Sequence, residues 1–222
     1  KAIREKVLGK DHPEYAKSLN NLGGVYMDMG NYEKVEPLYL EAKAIREKVW
    51  GKEHPDYAGS LNNLGNLYKD KGNYQKGQSF HLEAIAIREK VLGKEHPDYA
   101  LSLNNLAVLY FDIGQYDKAE PLYIQAIDTW KKAYGTAHPD YAMALNNLAA
   151  VYEERLQIEK SEQLYTQAKD IRKAVFGENH HDYATSLNNL GGLFARMGQF
   201  AKAETYLLQA NAIWKKILID VI

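Results

Sequence analysis

The sequence repeats itself every 42 residues, and this periodicity restricts the fold more than any other feature. The stretch SLNNLG or a close variant occurs five times, and a histidine and a tyrosine recur with the same step. The recurring positions are Asn20, Asn62, Asn104, Asn146 and Asn188; His12, His54, His96, His138 and His180; and Tyr15, Tyr57, Tyr99, Tyr141 and Tyr183. Self-similarity at a fixed period of this length is typical of solenoid arrays, in which each repeat packs on its neighbours.

Each repeat contains two helical patterns separated by turn signals. In the first repeat we predict a helix over about residues 13–28, because Pro13 suits the first helical turn and an acidic residue follows it. The chain then breaks at Gly30, which can adopt positive φ. A second helix is predicted over about 32–49, again ending at a glycine. The glycine of the first break recurs as Gly72, Gly114 and Gly198. Because this pattern leaves no room for strands, it predicts an all-α fold.

The fourth repeat departs from this pattern at the turn between its helices. It has EERLQIEKSEQ, with Leu156 at the glycine position and Ile158 in place of an aromatic residue. Leucine in a left-handed conformation costs ~1 kcal/mol or more. We therefore expect this turn to be rebuilt, with weaker protection from hydrogen exchange over 153–160.

One sequence pattern resembles a known repeat family. In the first repeat it comprises Leu19, Leu22, Gly23, Tyr26, Gly30, Tyr32, Val35, Tyr39 and Ala42. These residues match the tetratricopeptide repeat, and the segments AEPLYIQAI and AIREKVLGKEHPDYALSLNNLAVLY resemble the 42-residue subtype of kinesin light chains and nephrocystin-3. The resemblance implies a right-handed superhelical solenoid of antiparallel helix pairs. In such solenoids the first helices line the concave surface.

The repeat boundaries predict a single array over residues 1–222. Residues 1–10 form the end of a preceding second helix, and the repeats span about 11–52, 53–94, 95–136, 137–178 and 179–222. Neither end has the polar outer face of a capping repeat. We therefore expect a portion of a longer array, in which the repeat ends allow self-association.

The paired asparagines require an explanation, because asparagine is unfavourable inside helices. Successive helical residues are ~100° apart, so Leu19 and Leu22 face the second helix while Asn20 and Asn21 lie on the opposite side. An asparagine amide offers one acceptor and two donors, which match the backbone of an extended peptide. Alternatively, the asparagines bridge adjacent first helices. The two roles are compatible, and the resemblance favours the second asparagine of each pair as the ligand contact.

The same helix face supplies the other candidate binding residues. The full set is Asn20, Asn21, Asn62, Asn63, Asn66, Lys69, Asp70, Asn104, Asn105, Val108, Phe111, Asp112, Asn146, Asn147, Glu153, Glu154, Asn188, Asn189 and Arg196. On this face acidic residues outnumber basic ones, whereas the grooves of kinesin light chains are basic, so acidic cargo is not favoured. We predict a ligand with an apolar anchor near Leu101, Val108, Phe111 and Met143. Its basic flank would lie toward Asp112, Glu153 and Glu154, unless these acids form only a solvated face.

Other kinds of site have little support in the sequence. The chain contains no cysteine, which excludes disulfides and thiol catalysis. It also has no phosphate-binding glycine loop, and no serine with a readable base and acid. We therefore predict no enzyme activity, no cofactor and no metal. The adjacent His180 and His181 are a weak metal candidate, and the recurring histidines are expected to cap or pack the helix starts. The IREK and WKK segments are predicted to be solvated.

Net charge and hydropathy restrict the partners. The formal charge of −1 gives no electrostatic reason to expect nucleic acid or a membrane surface. No apolar run approaches the ~20 residues that span a bilayer. We therefore expect a cytoplasmic protein whose partner is a protein or peptide.

Three functional classes remain. The favoured one is a non-catalytic peptide-binding scaffold. The second is the sensor or interaction portion of a larger effector that carries an NTPase or caspase-like peptidase domain. The third is RNA binding by helical repeats, which normally needs basic or stacking residues that this face lacks.

Overall fold

A computed structural model describes residues 9–219, and within that range the chain forms ten α-helices and no strand. The helices are α1 (Pro13–Asp28), α2 (Tyr32–Trp50), α3 (Pro55–Asp70), α4 (Tyr74–Leu92), α5 (Pro97–Asp112), α6 (Tyr116–Tyr134), α7 (Pro139–Glu154), α8 (Ile158–Phe176), α9 (His181–Arg196) and α10 (Phe200–Ile219). The predicted helix over residues 1–8 and the end of the last helix at 220–222 lie outside the described residues. The predicted all-α architecture is confirmed.

The helices pack in pairs, and the chain divides into two compact units, Lys1–Gln115 and Tyr116–Ile222. In the first unit α1 pairs with α2 and α3 with α4, while α2 also packs on α3 and α4 on α5. In the second unit α7 pairs with α8 and α9 with α10, while α6 packs on α7 and α8 on α9. Within each unit, helices that follow one another in the chain therefore pack together, as in a solenoid.

Histidine caps the first helix of every repeat. The Nδ1 atom of His54 accepts a hydrogen bond from the backbone N–H of Asp56 at 3.1 Å, which satisfies one of the donors left open at a helix start. The four equivalent caps are made by His12, His96, His138 and His180, at 3.1–3.2 Å. The expected capping role is thus confirmed.

The capping ring also joins successive helix pairs. The ring of His54 stacks on Trp50, the last residue of α2, with centroids 4.5 Å apart. Similar stacks join Tyr134 to His138 at 4.0 Å and Phe176 to His180 at 4.2 Å. An aromatic residue four positions before the histidine therefore fixes the end of one helix against the start of the next.

Within each unit the core lies between helices that pack together. In the first repeat Tyr15 and Leu19 are buried against Leu38 and Ile45, as the helical periodicity predicts. Full burial of such a side chain stabilises the fold by about 1.5–3 kcal/mol.

The turn in the fourth repeat is not rebuilt, contrary to the sequence-based expectation. Leu156 adopts φ 58°, in the left-handed region where Gly30 has φ 67°. Its N–H donates to the Glu153 carbonyl at 3.0 Å, which matches the bond from Gly30 to Met27 at 2.9 Å. The Leu156 side chain is 74% exposed and gains little from packing. The local hydrogen bonds and the two packed helices hold leucine in the conformation of glycine.

Replacing Leu156 with glycine is therefore expected to stabilise the protein by about 1 kcal/mol, because it removes the left-handed strain without opening a cavity. Chemical denaturation of wild type and variant would measure this difference. Gly30→Leu is the matched control and should lose a similar amount. A Leu156→Gly variant no more stable than wild type would show that the turn is unstrained.

Candidate peptide-binding face of the first helices

The first asparagine of the pair is used inside the fold. Asn62 is 3% exposed; its Nδ2 donates to Ser102 Oγ on α5 at 2.8 Å, and its Oδ1 accepts from His81 Nδ1 at 3.0 Å. In the second unit Asn146 Oδ1 accepts from Asn189 Nδ2 at 2.7 Å. These bonds link neighbouring first helices, so the predicted bridging role is confirmed.

Asn20 makes an equivalent internal contact. With its amide oriented to satisfy both partners, the Asn20 carbonyl oxygen accepts from Arg46 Nη1 and Nη2 at 2.9 and 3.1 Å. Asn104 is as deeply buried as Asn62, whereas Asn188 is partly exposed. The first asparagines are therefore poorly placed for ligands, apart from Asn188, which is partly exposed and has no described hydrogen-bond partner.

A second set of buried polar groups was missed by sequence analysis. Arg88 is 5% exposed, and its Nη1 donates to the Asp98 carbonyl at 2.8 Å and to Ser102 Oγ at 2.9 Å. Arg46 and Arg172 make the same contacts with the next first helix. Burial lowers the pKa of the Arg88 guanidinium, against the opposing effect of Asp98.

The prediction that the IREK and WKK segments are solvated is therefore wrong for Arg46, Arg88 and Trp130, and Arg172 has the same environment in the related segment IRKA. One side of this helix end packs on the start of the next pair, and these side chains lie on that side. Trp130 is 1% exposed, like a core residue.

The sequence contains a signal for this network. The arginine recurs every 42 residues, and a serine follows it by 14 residues, at Ser60, Ser102 and Ser186. Where the arginine is replaced by Trp130, the serine is replaced by Ala144. Both replacements are apolar and buried. Their joint change indicates that the two positions interact.

The second asparagine of the pair has a different environment in the first compact unit. Asn63 and Asn105 are partly exposed and Asn21 is exposed, and no described residue hydrogen-bonds to any of these three amides. They occupy the same position on α1, α3 and α5, and α3 contacts both of the other helices. We call Asn21, Asn63 and Asn105 the amide row. It is a line of donors and acceptors open to a ligand.

The second unit lacks an equivalent set of open amides. Asn189 donates to Asn146, and Asn147 is also engaged in an interaction. The structure therefore separates the predicted peptide contacts into two groups. Those of the first unit have open amides, whereas those at Asn147 and Asn189 compete with internal contacts.

The charged groove residues of the first unit pair with one another. Lys69 Nζ lies 2.9 Å from Asp70 and 2.9 Å from Asp112. Burial opposes the charge on Lys69, but its bonds to the two carboxylates raise its pKa overall. Beside them, Asn66, Val108 and Phe111 are each partly exposed.

The acidic residues of the second unit are also paired. Arg196 Nη1 lies 3.0 Å from Glu153 Oε1 and 2.8 Å from Glu154 Oε1. Tyr165 donates its hydroxyl to the other oxygen of Glu153 at 3.0 Å. Burial raises the pKa of Tyr165, so this hydroxyl keeps its proton. The excess of acidic residues seen in the sequence is therefore partly neutralised within the fold.

His81 is a further buried polar residue that sequence analysis did not identify. It occupies the position of Tyr39, and its ring lies so close to Gly65 that an added Cβ there would be 2.5 Å from Cε1. Because its Nδ1–H donates to Asn62 Oδ1, Nε2 carries no proton, and Nε2 is buried without a hydrogen-bond partner among the described residues. Burial, assisted by the charge of Lys69, lowers the pKa of His81 to about 4.

Residues 9–219 contain neither a candidate metal site nor a candidate membrane span. No group of three or more His, Cys, Asp or Glu side chains in this range could hold a metal ion. None of the helices there is both long and apolar enough to cross a membrane.

Family comparison places the chain in a protein class. The family profile described as tetratricopeptide repeat matches residues 1–48, 16–70, 56–131, 102–174 and 140–216. Together these matches cover nearly the whole sequence. The chain belongs to the tetratricopeptide repeat family, whose fold is suited to protein–protein interaction. No curated protein matches it in sequence.

Solved structures give a narrower comparison. The chain is similar to a putative kinesin light chain with nearly identical TPR-like repeats from Podospora anserina, with 27% identity, 93% of this chain and 98% of that chain covered, and a TM-score of 0.71. BtubC (BKLC) from P. vanneervenii shares 24% identity over 92% of this chain and 82% of that chain, with a TM-score of 0.77. The resemblance to kinesin light chain-like tetratricopeptide proteins is thus confirmed.

Proposed function

We propose that this chain is a non-catalytic scaffold that binds an extended segment of a partner protein on the face of its first helices. The observation that carries the proposal is the amide row. Asn21, Asn63 and Asn105 present amides with no partner among the described residues, while the first asparagines that precede them are engaged or buried within the fold.

The chemistry of the amide row favours a ligand backbone over a particular side chain. An amide side chain can accept from a peptide N–H and donate to a peptide carbonyl at the same time. Each such bond contributes about 0.5–1.5 kcal/mol net. Three amides would therefore hold a peptide largely independently of its sequence, and the neighbouring Val108 and Phe111 would supply an apolar anchor.

We propose that a basic flank of the ligand contributes less than the amide row. Asp112 already pairs with Lys69, and Glu153 and Glu154 pair with Arg196. A basic ligand residue would have to displace these partners. The same binding face would serve an interaction portion of a larger effector, which differs only in its flanking domains.

The amide row can be tested with a random library of extended peptides selected on the wild-type chain. Changing Asn63 and Asn105 to alanine should weaken the selected peptides about tenfold to thirtyfold, because two hydrogen bonds are lost. The affinity would be measured by fluorescence anisotropy, and circular dichroism would confirm equal folding.

The matched control is Asn147→Ala with Asn189→Ala, at the same repeat position but with amides that already make contacts. It should weaken binding less than threefold. Unchanged affinity in the Asn63/Asn105 variant would exclude the amide row as the binding site.

A further inference from the structure

The second compact unit contains a cleft away from the paired asparagines. It has a volume of about 410 Å³ and is lined by Lys169, Tyr183, Leu187, Lys202, Thr205, Tyr206 and Gln209. These residues come from α8, α9 and α10, and we call the site the basic cleft. Leu187 is 1% exposed and closes the bottom of the cleft, and the ring of Tyr206 is partly exposed beside it. The two lysines lie on different helices.

The polar groups of the basic cleft have few internal partners. Lys202 Nζ lies 5.0 Å from the centre of the Phe194 ring, and no described carboxylate is within ion-pair distance of it. Among the described residues, Lys169 pairs with Asp170 alone, and the charged atoms are 3.0 Å apart. Because the Asp170 side chain is 63% exposed, solvent weakens this attraction. No described residue hydrogen-bonds to the Tyr183 hydroxyl or the Gln209 amide. The cleft therefore presents cations and donors, and its charge is incompletely balanced.

The same position three repeats earlier offers an internal comparison. There the equivalents of Lys169 and Lys202 are Lys43 and Lys76. Lys43 pairs with Glu47 at 3.4 Å, and Lys76 donates to the Tyr68 hydroxyl at 2.5 Å. Both lysines of the earlier position therefore have acceptors within the fold.

Three substitutions remove acceptors or negative charge from the later position. Phe194 stands where Tyr68 supplied a hydroxyl, Lys173 stands where Glu47 supplied a carboxylate, and Gln209 stands where the earlier repeat has Glu83. The lysines themselves are kept. One carboxylate is gained: Asp170 stands where the earlier repeat has Ala44, and it pairs with Lys169 in place of the less exposed Glu47. Lys202 has no such replacement for the Tyr68 hydroxyl that Lys76 contacts.

We propose that the basic cleft binds an acidic segment of a partner protein. Carboxylate side chains would pair with Lys169 and Lys202, and an adjacent aromatic or aliphatic side chain would pack on the partly exposed ring of Tyr206. An aromatic ring beside two cations fits an acidic peptide better than a free inorganic anion, which gains nothing from the ring. This site is independent of the amide row and has the opposite charge preference to the ligand predicted from the groove.

The probe is the peptide Glu-Asp-Phe-Glu-Asp-Glu with both termini blocked. The uncharged control peptide has glutamine in place of each glutamate and asparagine in place of each aspartate. Calorimetry at low salt should show that the wild-type chain binds the acidic peptide and not its counterpart. Lys169→Gln with Lys202→Gln should weaken binding about tenfold, because two ion pairs are lost. Lys43→Gln with Lys76→Gln changes the same net charge at the earlier position and should leave the affinity within about twofold.

A second variant tests the site without removing its lysines. Phe194→Tyr with Gln209→Glu installs the residues of the earlier repeat, and Glu162 is present at the position of Glu36, which accepts from the Tyr68 hydroxyl. This variant should also weaken the acidic peptide. Hydrogen exchange should show protection over α8 and α10 on binding, and none around Asn63.

Several results would overturn the proposal. The Lys169/Lys202 variant could bind the acidic peptide as tightly as wild type. The Lys43/Lys76 variant could lose as much affinity as the Lys169/Lys202 variant, or the wild-type chain could bind the uncharged peptide as tightly as the acidic one. Full displacement by inorganic phosphate at constant ionic strength would reduce the site to a simple anion site. Anionic lipid vesicles that compete while soluble phosphate does not would reassign it to a membrane surface. Loss of binding in the Asn63/Asn105 variant would place the peptide on the amide row instead.

Discussion

Acidification to pH 4 is expected to destabilise the protein by about 3 kcal/mol through His81 alone. The unfolded chain binds a proton at this residue with a pKa near 6.5, whereas burial holds the folded pKa at about 4. Between these values the unfolded state carries more bound protons. Stability from this residue is therefore fully present above about pH 6.5 and is lost as the pH falls toward 4.

The structure explains why His81 resists protonation. Its ring packs directly on Gly65, and its Nδ1–H already donates to Asn62. A proton added at Nε2 would have no described acceptor for its hydrogen bond. The charged group that contributes is Lys69, which further disfavours a second cation. Protonation would place an uncompensated charge inside the second repeat.

His81→Tyr provides the comparison for this effect. The first repeat holds Tyr39 over Gly23 in the same arrangement, so a tyrosine is compatible with the site. The variant also loses the bond to Asn62, but this loss does not change with pH. Urea denaturation at pH 7 and at pH 4.5 should give a smaller pH-dependent loss in the variant, by about 2–3 kcal/mol. Equal losses in both proteins would contradict the assigned pKa.

Replacing Arg88 with alanine is expected to destabilise the fold by about 3 kcal/mol, because two charge-assisted hydrogen bonds and a buried side chain are lost. The bonds are those to the Asp98 carbonyl and to Ser102 Oγ, which join α4 to α5. Both bonds come from Nη1, and Arg88→Lys keeps the charge but lacks the rigid, planar guanidinium that places this nitrogen between the two acceptors, so it should recover only part of the loss.

One interface between repeats has a different pair of residues at the positions of Arg88 and Ser102. Trp130 and Ala144 are both buried where the other interfaces use arginine and serine. The variant Arg88→Trp with Ser102→Ala should therefore lose less stability than the sum of the two single variants, by about 1 kcal/mol or more. Ser102→Ala also removes the acceptor of Asn62 Nδ2, a loss that the single and the double variant share. Strictly additive losses in a double-mutant cycle would show that the two positions do not act as a pair.

The two proposed binding sites carry different chemistry. The amide row offers neutral donors and acceptors, which suit a peptide backbone, whereas the basic cleft offers two lysines beside the partly exposed ring of Tyr206. A partner could therefore be recognised for its extended conformation at one site and for its charge at the other. The variants described above affect one site at a time, so the two proposals can fail separately.

The helices, their caps and their turns follow from local sequence patterns. The first helix was predicted over 13–28 and is Pro13–Asp28; the second was predicted over 32–49 and is Tyr32–Trp50. These features depend on residues within about one helical turn of each other, so the pattern of proline, glycine and leucine specifies them locally. Leu156 is the exception, because tertiary packing of α7 and α8 overrides its conformational preference.

Only the tertiary structure decided which polar residues remain open to a partner. Asn62 and Asn63 are adjacent and chemically identical, yet Asn62 bonds to Ser102, 40 residues away, while Asn63 has no described partner. Arg88 is buried by a segment that begins ten residues further on, and the groove acids are paired with bases one repeat away. Such contacts join different helix pairs, and no local periodicity specifies which of two neighbouring side chains will find a partner there.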